Sequence, residues 1–126
     1  MEPNLPEVVA EVTAAFERYE RALNDNDVDV LDETFWASPR TVRYGLGENL
    51  YGREEILAFR KGRELKDVKR RLVRTVITTF GRDFAAASCE FERVNSGRRG
   101  RQTQAWVRTP DGWRVVAAHV SWFEGS

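Results

Sequence analysis

The second half of this chain holds four runs rich in β-branched and aromatic residues, Arg71 to Phe80, Phe84 to Val94, Arg101 to Thr109 and Trp113 to Phe123, separated only by turn-length gaps. The gaps carry Gly81-Arg82-Asp83, Asn95-Ser96-Gly97 and Pro110-Asp111-Gly112, residues whose backbone preferences suit chain reversal. Long strands joined by short loops imply an antiparallel meander. Any helices must then come from the first half and pack on one face of that sheet.

The first half supplies them. From Pro6 to Asn24, Val8, Val9, Val12, Phe16, Tyr19 and Leu23 recur at three- and four-residue steps, the mark of an amphipathic helix, with Glu7, Glu11, Arg18 and Arg21 on its outer face. Asn24-Asp25-Asn26-Asp27 provides a stop and a cap. A short second helix is predicted over Val28 to Thr34, ended before Phe35 and Trp36 and by Ser38-Pro39. Thr41 to Leu46 reads as a strand, and Gly45, Gly47 and Gly52 bracket a loop. A third helix is predicted over Arg53 to Gly62, with Glu54 and Glu55 in its positive first turn. The expected fold is α+β: three N-terminal helices packed on a curved, mostly antiparallel sheet, enclosing a cone-shaped hollow of the kind that holds ligands. With 126 residues and no repeat or linker, one domain over 1–126 is expected.

The hollow is where chemistry is sought, because composition excludes other classes. One cysteine, Cys89, forms no internal disulfide, and one histidine, His119, leaves no zinc-site spacing, so metal catalysis is not expected. Neither a membrane-spanning apolar run nor a signal-peptide layout is visible, so a cytoplasmic protein is expected. The net charge of zero is split unevenly: residues 1 to 33 carry ten acids and two bases, residues 60 to 74 eight bases and two acids. The preferred reading is solvated faces of a helix and a strand that attract one another across a homodimer. Nucleic acid is disfavoured because the basic segment lacks interleaved aromatics for base stacking.

Inside the expected hollow, two residues stand out. Arg43 interrupts the strand Thr41-Val42-Arg43-Tyr44-Gly45, and a charge within an apolar element either escapes to solvent or has a partner. Its planar fork suits a small acid held in one orientation; the competing reading pairs it with Glu48, Glu90 or Glu92. Tyr19 lies on the apolar stripe of the first helix and is either a core aromatic with its hydroxyl on a backbone carbonyl or a proton donor aimed at the same acid. His119 and Ser121 share one strand face, and Gln102, Gln104 and Trp106 another on the neighbouring strand. They line the hollow or meet a second sheet in a homo-oligomer, a dimer or dimer of dimers. Arg60 and Arg63 share a helix face, either a second carboxylate clamp or a solvated surface, the latter being favoured. Trp36, Trp113 and Trp122 are expected as core or interface anchors, and Cys89 as a small buried apolar residue.

Three helices before a curved meander resemble the nuclear-transport-factor-like superfamily, which hosts several enzymes and non-catalytic modules. The runs from Phe35-Trp36-Ala37-Ser38-Pro39 through Arg43-Tyr44-Gly45 to Leu50-Tyr51-Gly52, with Gly100-Arg101-Gln102-Thr103-Gln104-Ala105-Trp106 and Ala117-Ala118-His119-Val120-Ser121-Trp122, resemble a small bacterial family more closely. That family contains the 1,3-dicarboxyurea decarboxylase of cyanuric acid breakdown and a protein associated with oxalurate use. The resemblance implies a cofactor-free decarboxylation carried by a tyrosine and an arginine, matched here by Tyr19 and Arg43. Arg60, Gln104, His119 and Ser121 are further substrate-binding candidates from the faces they occupy. The expected partner is a small dicarboxylate or carboxylated-urea substrate. Two rival readings are an oxalurate-type amide hydrolase and a non-catalytic accessory partner of a pathway amidase.

Overall fold

The computed structural model describes residues 1–123; residues 124–126, the end of the expected domain, lie outside the described residues. Helix α1 spans Pro6–Asp25, α2 Val28–Thr34 and α3 Arg53–Gly62. Proline suits the start of α1, where its missing N–H would lack a helical partner anyway. The helix ends at Asn26 in the left-handed conformation, φ 52°, with its N–H turned back to the Ala22 and Leu23 carbonyls. Asp27 then caps α2 by accepting from the Val30 N–H at 3.2 Å.

Six strands form one sheet: β1 Val42–Tyr44, β2 Asn49–Tyr51, β3 Arg70–Phe80, β4 Phe84–Arg93, β5 Arg99–Thr109 and β6 Gly112–Trp122, in the spatial order β2-β1-β6-β5-β4-β3. The antiparallel meander is β3 to β6, as the turn spacing implies. Two details differ from expectation. The expected strand Thr41 to Leu46 contracts to three residues, and the glycine-bracketed loop becomes a hairpin with β2, closed by the Gly45 N–H on the Glu48 carbonyl at 2.8 Å. β1 also pairs parallel to β6, with Arg43 opposite Ala118 and Tyr44 opposite His119.

The helices cover one face of the sheet. Val8, Val12, Phe16, Tyr19 and Leu23 of α1 pack with Leu31, Phe35 and Ile56 against Ala85, Ala87, Trp106 and Val115, all buried. Each strand alternates, but β3 and β6 each carry one extra residue, Val73 against the Leu72/Arg74 step and Val116 against the Ala105/Trp106 step. Such bulges bend a strand and increase its twist, and each reverses which residues face inward beyond it.

Candidate active site

One end of this interior is apolar; the other is crowded with guanidinium groups. Tyr19 is 2% exposed and Arg60 1%. Arg60 follows the buried Ile56 by one helical turn on α3, so its side chain enters the interior where the helix stripe continues. Its Nη2 donates to the Tyr19 hydroxyl at 3.0 Å, and its guanidinium lies 5.8 Å from the Tyr19 ring centroid and 5.6 Å from that of Phe35. Among the described residues, Arg60 Nε and Nη1 are buried without a hydrogen-bond partner. The favoured expectation of a solvated helix face is therefore wrong for Arg60, because its stripe is the one that Ile56 buries.

Arg43 also turns inward and is 7% exposed. Its Nη1 donates to Glu48 Oε1 at 3.0 Å, so the glutamate pairing is real and the partner is Glu48. Gly45 makes room for it: a Cβ there would overlap the Glu48 carboxylate and press on Arg43 Nη1 at 2.9 Å. The Phe59 ring supports the guanidinium 5.1 Å from its centroid.

Two further arginines complete the polar end. Arg70, the first residue of β3, is clamped by Glu20 through both Nε and Nη2, and its Nη1 donates to Gln102 Oε1 at 3.3 Å. Arg93 is buried, spends Nη1 on the Val68 carbonyl at 2.6 Å and leaves Nε without a partner among the described residues. Gln104 accepts from Trp106 Nε1 at 3.0 Å, leaving its own Nε2 buried and unpartnered, as is Gln102 Nε2. Guanidinium and amide N–H groups converge at this end of the interior, a donor set that matches the acceptor oxygens of a carboxylate.

The charges act on Tyr19. Burial alone would raise its phenol, but Arg60, Arg70 and Arg43 outweigh burial and hold it below its ordinary value. Burial, followed by Arg60, lowers Arg43. Arg70 is raised, because Glu20 overcomes the cost of burial. Burial pushes the Cys89 thiol up to about 11, which leaves it a neutral apolar residue.

Of the residues read from sequence, the structure gathers Tyr19, Arg43 and Arg60 at this end, with Gln104 also buried in the interior. It does not bring His119 or Ser121 there. His119 is exposed on the opposite sheet face, its ring 5.7 Å from that of Tyr44, and Ser121 accepts from Arg101 Nε at 3.2 Å. The extra residue at Val116 is the reason: it hands the inner face from Trp113 and Val115 to Ala118 and Val120. Sequence reasoning missed Glu20, Arg70 and Arg93 as interior residues. Among the described residues, no three His, Cys, Asp or Glu side chains converge on a common point that would hold a metal ion.

Helices on one face of a twisted, mostly antiparallel sheet form the nuclear-transport-factor-2-like fold. The structure is similar to that of a nuclear transport factor 2 (NTF2-like) superfamily protein from Salmonella enterica, at 24% identity and a TM-score of 0.77, covering 95% of this chain and 94% of that one. More narrowly, the chain belongs to the AtzH-like family, whose model matches residues 1–126. It is 59% identical to a protein of the DUF3225 family from Pectobacterium atrosepticum, with a TM-score of 0.93 and coverage of 97% of this chain and 95% of that one. It is 49% identical to a cystatin-like fold protein from Burkholderia xenovorans, with a TM-score of 0.94 and coverage of 100% and 99%. No curated protein matches it. Among the described residues, no helix is long and apolar enough to cross a membrane.

Proposed function

We propose that this chain is a cofactor-free decarboxylase of a small N-carboxylated urea, of the 1,3-dicarboxyurea to allophanate type. The observation that carries the reading is the Tyr19 hydroxyl held on Arg60 while Arg60 keeps two buried N–H positions without a partner. A substrate carboxylate takes those positions, and Arg43 adds a second cation beside it. Tyr19 then gives its proton to the carbamate nitrogen as the carbon–nitrogen bond breaks. The bonding pair stays on nitrogen, the carboxylate departs as carbon dioxide, and the phenolate left on Tyr19 is stabilised by the same guanidiniums until water returns a proton. A phenol held below its ordinary pKa is a better donor, which is what this reaction asks of it.

A second reading, an accessory role beside an amidase, draws on the Arg43–Glu48 pair, since an arginine engaged by protein has less to offer a ligand. Oxalurate-type hydrolysis has weaker support, because His119 and Ser121 lie outside the interior. Incubating the protein with freshly made dicarboxyurea, then with oxalurate, and following carbon dioxide and ammonia separately distinguishes the three. Carbon dioxide release above the buffer rate that is lost in folded Tyr19→Phe and Arg43→Ala variants supports decarboxylation. Release equal in parent and variants rules it out.

A further inference from the structure

Two carboxamides lie on the inner face of β5, and each has its orientation fixed by a neighbour that can only donate. Trp106 Nε1 donates to Gln104 Oε1 at 3.0 Å, and Arg70 Nη1 donates to Gln102 Oε1 at 3.3 Å. Indole and guanidinium offer no acceptor, so each glutamine turns its oxygen to them and its Nε2 the other way. Both Nε2 atoms are buried without a partner among the described residues, in residues 1% exposed for Gln104 and 7% for Gln102.

The sheet register brings these amides to the Tyr19 end of the interior. Arg43 of β1 lies opposite Ala118 of β6, and Ala118 lies opposite Gln104, so arginine and glutamine share one row, two strand spacings or about 10 Å apart. Their buried neighbours are small: Ala118 separates the two, Ala87 flanks Gln104 on β4, and Cys89 flanks Gln102. Arg70, which holds Gln102, is itself held by Glu20 and is one of the three guanidiniums that lower the Tyr19 phenol. The sheet therefore carries amide donors beneath the helices that carry Tyr19 and Arg60.

We propose that Gln102 and Gln104 are catalytic residues that donate Nε2 hydrogens to the central carbonyl oxygen of the substrate. The assignment rests on the decarboxylase reading and deepens it. When the bond between nitrogen and the departing carboxylate breaks, its electron pair stays on nitrogen, and conjugation moves part of that charge to the neighbouring carbonyl oxygen. The Tyr19 proton ends on nitrogen and carbon dioxide leaves, so this oxygen is most negative midway through the step. Donors fixed in advance stabilise it there more than in the bound substrate. A neutral amide does so without adding a cation to an end already crowded with guanidiniums.

Calorimetric titration with freshly dissolved acetonedicarboxylate and with glutarate, diacids that differ in one central carbonyl, tests the placement. The parent is expected to bind acetonedicarboxylate about tenfold more tightly, and Gln104→Met and Gln102→Glu each to lose most of that preference. Gln102→Glu keeps an oxygen for Arg70 and removes only the N–H donors, so its melting temperature is expected to match or exceed the parent's. Its added charge weakens both diacids, and the ratio between them isolates the donor. For dicarboxyurea, kcat/KM is expected to fall about 10²-fold in Gln104→Met, beyond the loss in binding. An unchanged preference in both variants, or an unchanged kcat/KM where the parent decarboxylates, overturns the assignment. If the variants lose the preference but the parent releases no carbon dioxide from dicarboxyurea, the decarboxylase reading fails and the amides stand as carbonyl-binding residues.

Discussion

At the scale of single residues, the site depends on how Arg60 treats Tyr19. Arg60 is the strongest of the groups that lower the Tyr19 phenol, and burial works against it. As a proton donor, Tyr19 is active while protonated, so the rate falls as pH rises through its folded-state pKa. Arg60→Gln removes the main lowering influence and leaves burial, so the alkaline limb of the kcat profile is expected to move to higher pH. The rate near neutrality should fall by about 10²-fold as phenolate stabilisation is lost. An unmoved alkaline limb would show that Tyr19 does not donate the proton. Gly45 gives a second test. Gly45→Ala forces Glu48 away from Arg43, and an Arg43 released from protein is expected to bind malonate more tightly in calorimetry. Weaker binding would mean that the Arg43–Glu48 pair itself shapes the pocket.

At the scale of elements, α1 and β3 are joined at the polar end by Glu20 and Arg70, fifty residues apart in sequence, and by the Asn24 side chain accepting from the Arg70 N–H at 2.8 Å. Glu20→Gln leaves Arg70 buried without a carboxylate, and removing one partner of a buried pair costs about 3–5 kcal/mol. Urea unfolding is expected to show a loss of that size with an unchanged slope; a loss under about 1 kcal/mol would mean that the pair is wetter than its burial implies. The same elements show what could be read in advance. Tyr19 and the helices were legible because a helix stripe repeats every three or four residues, and the meander because turn residues punctuate it. Arg60 was legible in principle, one turn beyond Ile56, but a run of eight bases looks like a solvated surface. Glu20 and Arg70 were not legible, since nothing local couples two residues so far apart. His119 and Ser121 were misplaced by one residue's worth of backbone: strict alternation from Trp113 puts them inside, and the bulge at Val116 puts them outside.

For the whole molecule, the excess of acids in residues 1 to 33 and of bases in residues 60 to 74 is expressed partly within the chain. Glu20 from the acidic segment meets Arg70 from the basic one. The acidic segment supplies one carboxylate to the interior end where Arg43, Arg60, Arg70 and Arg93 are buried, and Glu48 supplies another. On the proposed reading, a dianion bound among these guanidiniums offsets their mutual repulsion and stabilises the fold. Malonate at about a hundred times its dissociation constant should add about 2.7 kcal/mol, on the order of 10 °C in Tm for a domain of this size. Acetate at the same concentration, bound about tenfold more weakly, is expected to add about 1.4 kcal/mol. Equal shifts for malonate and for a neutral diamide of the same shape would remove the electrostatic argument.

On the proposed reading, Tyr19, set on Arg60 among buried guanidiniums, protonates a carbamate nitrogen. The most direct test is carbon dioxide release from freshly prepared 1,3-dicarboxyurea by the parent and by a Tyr19→Phe variant with the same circular dichroism and melting temperature. Release well above the buffer rate is expected for the parent, with a fall of about 10²- to 10⁴-fold in the variant. Equal rates in parent and variant would contradict it.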